Sequence, residues 1–172
     1  SREFYFGVES EADPAWTLLA RATEGRPDAH LVVAGRARTC AQKIHNLAAA
    51  LEASGGRGEL LVFLDSDLGV DPGWLERLLA PLADPGVAAT TGGAWVVPSC
   101  NSLAESLHAF WFAIVRYLVS FPLFRGVSGC STAIRRSEFA SLGVVEAWRT
   151  AVSDDMVLTR LLGAARRRAG AG

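Results

Sequence analysis

The chain has 172 residues, of which 50% are hydrophobic and 20% charged, with a formal net charge of -1. This composition excludes a disordered chain, which combines low hydrophobicity with high net charge. The balance of 17 Lys+Arg against 18 Asp+Glu gives no basic field for nucleic acid, so none is expected as a partner.

In chain order, Glu3 to Val8 reads as a strand, and the turn cluster Glu9 to Pro14 opens a helix over about Ala15 to Ala22, with Asp13 placed to cap it. Leu31 to Val33 is a second strand. Ile44, Leu47, Ala48 and Leu51 recur at helical spacing before Gly55 and Gly56 stop that helix. Leu60 to Leu64 is five continuous apolar residues, the pattern of a central parallel strand buried on both faces. Asp71-Pro72 starts another helix through Trp74, Leu75, Leu78 and Leu79. Val87 to Thr91 and Trp95 to Val97 suggest two strands around Gly92-Gly93, and an apolar helix follows over Leu103 to Leu118. Thr132 to Ile134 is a short strand, Ser137 is placed to cap a helical turn ending at Gly143, and Met156 to Leu162 is helical, with a frayed tail over 164–172. Strands alternating with helices make an α/β domain over 1–163 with one dominant sheet.

No secretory signal pattern is read, and the apolar run Phe110 to Phe124 falls short of the roughly 20 residues of a membrane span and is broken by Arg116 and Pro122. Cys40, Cys100 and Cys130 lie far apart, which argues against a zinc site or disulfide framework and for a reducing compartment.

Three segments are candidates for chemistry. Asp65-Ser66-Asp67 follows an apolar strand directly, and in open α/β sheets ligands bind beyond the carboxyl ends of strands. Two carboxylates there suit a hard divalent ion, Mg²⁺ or Mn²⁺, although a turn cap and a solvated charge describe them equally well. Asp154-Asp155 offers a general base, or simply two acids complementing a helix N-terminus, which is the simpler account. Gly126 to Ser131 with Arg135 and Arg136 offers a close backbone approach to a phosphate, or a loop with solvated charges. His30, His45 and His108 share no metal-ligand spacing. The stripe Phe110, Trp111, Ile114, Val115 and Leu118 reads as core packing, with a greasy floor for a lipid acceptor as the other reading.

Taken in order, Glu11-Ala12-Asp13-Pro14-Ala15, Lys43-Ile44-His45-Asn46, Asp65-Ser66-Asp67, Ser128-Gly129-Cys130-Ser131 and Ser153-Asp154-Asp155 resemble the motifs of the GT-A-fold, family 2-type inverting glycosyltransferases. Within these the chain is most similar to the ceramide glucosyltransferase-like branch, which includes bacterial lipid glycosyltransferases. The resemblance implies a GT-A-like, Rossmann-like and mostly parallel sheet flanked by helices, incomplete at both ends. It implies transfer of a sugar from a nucleotide-sugar donor, a UDP-sugar, to a hydroxyl of a ceramide- or hopanoid-like lipid, with inversion. By position it assigns Asp13 to the nucleotide base, Lys43, Asn46, Ser128 and Gly129 to donor binding, Asp65 and Asp67 to a divalent metal, and Asp155 to the catalytic base. It further implies a parent protein associated with the cytoplasmic side of a membrane. An earlier strand and a Q/RxxRW segment belong to the family's pattern but not to these residues, so the chain reads as the middle of a larger enzyme, with weak donor binding when isolated. The alternatives are a catalytically incomplete nucleotide- or metal-binding fragment, and an α/β phosphotransfer or hydrolase domain. The second of these lacks the DxDxT arrangement, because Asp67 is followed by Leu68-Gly69-Val70.

Overall fold

The structure, a computed structural model, describes residues 2–99, 102–119 and 126–169. Cys100, part of the 110–124 run and the last residues of the tail lie outside the described residues. The element order is β1 (Phe4–Val8), α1 (Trp16–Thr23), β2 (Ala29–Val33), α2 (Gln42–Ala53), β3 (Leu60–Leu64) and α3 (Trp74–Leu79) with a 3-10 turn (Ala80–Ala83). There follow β4 (Ala89–Gly92), α4 (Leu103–Val119), β5 (Ser131–Arg135), α5 (Arg136–Ser141), α6 (Val144–Trp148) and α7 (Asp154–Ala169). The chain is α/β, as its alternating pattern predicts.

The sheet itself departs from the expectation of one mostly parallel layer. Only β1 and β2 pair in parallel, with Phe4 opposite Ala29 and Val8 opposite Val33. The other described strands form a second sheet in the order β3-β5-β4, and both of its ladders are antiparallel. An apolar run reports burial but carries no information about the direction of its neighbour, so β3 gave no warning of this pairing.

Nor is β3 the doubly buried strand. Leu61 is buried and Phe63 packs against the rings of Phe139 and Trp148, whereas Leu60, Val62 and Leu64 are exposed on the other face. The central strand is β5, in which Ser131 to Ile134 are all buried. Ile134 joins the main core of Ile44, Leu61, Phe139, Val144, Trp148 and Leu158, while Ala133 turns to the second core with Leu78 and Leu82. A strand reading Ser-Thr-Ala-Ile can be central because Thr132 Oγ1 donates to Ser128 O at 2.9 Å and Thr91 Oγ1 donates to Ser131 O at 3.0 Å, so the polar groups enter the core satisfied.

Smaller corrections have local causes. Asp13 does not cap α1 directly: its carboxylate accepts from Ala15 N at 2.9 Å, closing the turn just before the helix. Ser137 does not cap α5, which begins at Arg136. The segment Trp95 to Val97 forms no strand, and Trp95 and Val97 are strongly exposed. α4 forms where expected, but Phe110, Trp111, Val115 and Leu118 are exposed, not core. α7 continues to Ala169 because its last turns, rich in Ala and Arg, are strong helix formers even without an apolar stripe. The short helix α6, which places Trp148 in the core, has too few residues to show a period.

Candidate active site

Four chain segments meet at the carboxyl end of β3. The ladder with β5 runs on past Leu64, where Asp65 N donates to Cys130 O at 3.0 Å, so the Ser128–Cys130 loop is fastened beside Asp65. The start of α2 is fastened to the loop before α7, since Ala41 N donates to Ala151 O at 2.9 Å. The first turns of two helices, of twelve and sixteen residues, are thereby brought together at a strand end. Their amino ends carry unpaired N–H groups and the positive end of the helix dipole, an environment that favours anions.

Lys43 stands in the first turn of α2, where a cation is electrostatically disfavoured. Its placement is explained by its partners: Nζ lies 2.7 Å from Asp65 Oδ1 and 3.1 Å from Asp154 Oδ1. Partial burial acts to lower the Lys43 pKa, but the hydrogen bonds and charges of Asp65 and Asp154 outweigh it, and the net direction is upward. The ammonium is therefore charged throughout the physiological range.

Asp155 faces the same loop. Its Oδ2 accepts from Gly129 N at 3.1 Å, and its Oδ1 accepts from Met156 N at 2.8 Å and from the Ser153 hydroxyl. The helix-terminus role expected of such a residue is present, and a long-range contact to the loop is added to it. Gly129 fits closely there: a Cβ would lie 3.1 Å from Asp155 Oδ2, tighter than an ordinary contact, and 3.6 Å from Lys43 Nζ. Ser128 is held by Thr91, whose Oγ1 accepts from Ser128 N at 2.8 Å, and Val127 N donates to Thr159 Oγ1 at 3.0 Å.

Phe63, Val127, Ser128, Gly129, Thr132, Trp148, Asp154, Asp155 and Leu158 line a hollow of about 10 Å³, room for one water. Trp148 is buried, and its indole N–H has no hydrogen-bond partner among the described residues. The hollow is too small for a sugar.

The other residues singled out by sequence fall outside this cluster of contacts. Asp67 is exposed on the turn after Asp65 and makes no hydrogen bond or ion pair among the described residues. Asn46 faces β1, donating to Gly7 O at 3.3 Å and accepting from Gln42 Nε2 at 2.8 Å. Asp13 bonds within its own turn. Arg135 donates to the carbonyls of Val87, Leu82 and Asp84, and Arg136 to Gly58 O, Arg57 O and Ser54 Oγ. Both arginines therefore bind loops at the far end of β5, not a phosphate. His30 stacks on Tyr5, and His45 Nε2 lies 3.0 Å from Ala34 O. Asp154, read together with Asp155 as a candidate general base, joins the site as a partner of Lys43. Ser153, Thr91 and Thr159 join it without an assigned role, and only the adjacency of Ser153 to the two aspartates signalled one of them.

As holders of a cation, Asp65 and Asp67 supply the hard oxygen donors that Mg²⁺ and Mn²⁺ prefer. The ammonium between Asp65 and Asp154 is a stand-in that marks the place as one where positive charge is matched. Among the described residues no three His, Cys, Asp or Glu side chains converge to enclose an ion. Mg²⁺ is commonly held by one or two carboxylates together with substrate phosphates and water.

Comparison with curated proteins finds no match. The family model for glycosyl transferase family 21 matches residues 2–170. With its α/β, GT-A-like domain and a carboxylate site at a strand end, the chain belongs to glycosyltransferase family 21.

Proposed function

We propose that the chain moves a sugar from a UDP-sugar to the hydroxyl of a lipid of the ceramide or hopanoid kind, inverting the anomeric centre, as in the ceramide glucosyltransferase-like branch. The observation that carries this reading is the meeting of Lys43, Asp65, Asp154 and Asp155 at one strand end, between two helix amino termini.

In this reading the donor diphosphate lies over the start of α2, where N–H groups and Lys43 meet its charge, and the sugar spans toward Asp155. A divalent ion held by Asp65 and Asp67 would neutralise charge on the leaving diphosphate. Gly129 N–H and Ser153 Oγ fix the Asp155 carboxylate, which takes the proton of the acceptor hydroxyl as that oxygen bonds to the anomeric carbon. The bond from sugar to phosphate breaks, and the nucleoside diphosphate leaves with the bonding electrons. Asp13 is proposed for the nucleotide base, and Asn46 acts at one remove by seating α2 against β1.

The lipid nature of the acceptor is supported by α4, whose Leu103, Leu107, Phe110, Trp111 and Leu118 are each at least half exposed. No helix among the described residues is long and apolar enough to cross a membrane, and α4 suits lying on a bilayer surface. The chain leaves the sheet at Gly92, passes through α4 and returns to it at Ser131, so this helix is inserted between Thr91 and the Ser128–Cys130 loop that Thr91 holds. Incubating the protein with radiolabelled UDP-hexose, Mn²⁺ and ceramide in mixed micelles tests the proposal: a glycolipid with configuration opposite to the donor is expected. Hydrolysis to free sugar alone, with every lipid alcohol refused, contradicts it.

A further inference from the structure

Lys43 does more in this geometry than await a phosphate. Its ammonium bridges Asp65 and Asp154, at 2.7 and 3.1 Å, and joins the end of β3 to the start of α7. A divalent ion bound to a carboxylate oxygen sits about 2.0–2.1 Å from it. With Lys43 in place, an ion on Asp65 would therefore lie within a few Å of a fixed positive charge. The two cations compete for one carboxylate.

We propose that Lys43 is a resident counter-ion that keeps divalent metal off Asp65 until a diphosphate arrives to draw the ammonium away. This deepens the sugar-transfer reading and rests on it. Its consequence is an order of binding: metal alone is taken up weakly, and metal with nucleotide strongly, because the anion repositions Lys43 while supplying further oxygen ligands. The path is open, since the Lys43 side chain is 47% exposed. A lysine whose only role was structural would be expected to weaken both ligands when removed.

The test is a comparison of wild type, Lys43→Gln and Lys43→Arg as full 172-residue chains, with folding checked by circular dichroism. Mn²⁺ binding is read from the loss of its free electron paramagnetic resonance signal, and UDP binding without metal by calorimetry. Lys43→Gln is expected to bind Mn²⁺ about three- to tenfold more tightly and UDP about fivefold more weakly, with Lys43→Arg staying near wild type for Mn²⁺. Mn²⁺ binding no tighter in Lys43→Gln than in wild type overturns the proposal. A second measurement needs no variant. Lys43 is the sole lysine of the chain, so its acylation, followed by peptide mass spectrometry, reports whether it stays tied to its partners. Saturating Mn²⁺ is expected to speed that reaction, and an unchanged rate overturns the proposal. If UDP binds but no protein takes up Mn²⁺, the counter-ion exchange is refuted and donor binding stands. If UDP binds to none of them, the donor reading fails while the Mn²⁺ contrast still judges Lys43.

Discussion

Gly129 lies between the two charges on which the site depends, touching Asp155 through its N–H. Gly129→Ala places a methyl 3.1 Å from Asp155 Oδ2, tighter than an ordinary contact, so the carboxylate has to shift by a few tenths of an ångström. Misplacement of a reacting group on this scale is costly. The variant is expected to keep the wild-type melting temperature and lose about tenfold or more in turnover, measured as glycolipid formed per minute. Unchanged turnover would show that Asp155 does not need this contact. Asp65, Asp154 and Asp155 were visible in the sequence as acids at element ends. What it did not reveal was that Lys43 joins two of them, because ion pairs between residues 43 and 65 and between 43 and 154 leave no local pattern. Asp67, equal to Asp65 as a letter, is the exposed member because it stands in the turn two residues beyond Asp65, whose N–H makes the last bond to the segment entering β5.

At the scale of elements, the seating of α2 on β1 decides where Lys43 starts from. Gly7 allows it: a Cβ there would stand 2.8 Å from Asn46 O, a backbone atom that cannot swing aside. Gly7→Ala is expected to destabilise the fold by about 1–3 kcal/mol, the range for overpacking, read by urea denaturation. No change in midpoint would mean that α2 slides freely on the sheet. The strand β3 and helices α2 and α4 were legible because each has a clean period or run. Strand direction was not, since the same apolar residues suit either neighbour, and the central β5 was disguised by a buried serine and threonine, bonded to Thr91 of β4 and to Ser128 of the preceding loop. The segment Trp95 to Val97, expected as a strand, takes no regular structure, and with Trp95 and Val97 both strongly exposed its apolar letters mark no buried face.

At the scale of the whole molecule, two small cores support one charged rim, and the greasy helix α4 contributes no residue to either core among the described residues. Exposing this much aromatic surface is unfavourable in water and favourable at a bilayer interface. Phe110→Ser with Trp111→Ser is expected to lower cosedimentation with phosphatidylcholine vesicles by about tenfold, leaving transfer to a short-chain, water-soluble acceptor near wild type. Equal vesicle binding by the two proteins would assign α4 another partner. In the proposed reaction the charged rim carries the chemistry, and the central claim is that Asp155 takes the proton of the acceptor. The most direct measurement is the turnover and UDP-sugar affinity of Asp155→Asn, side by side with wild type. Turnover is expected to fall by about 10²–10⁴, with donor affinity held within about twofold. Wild-type turnover in that variant would contradict the account.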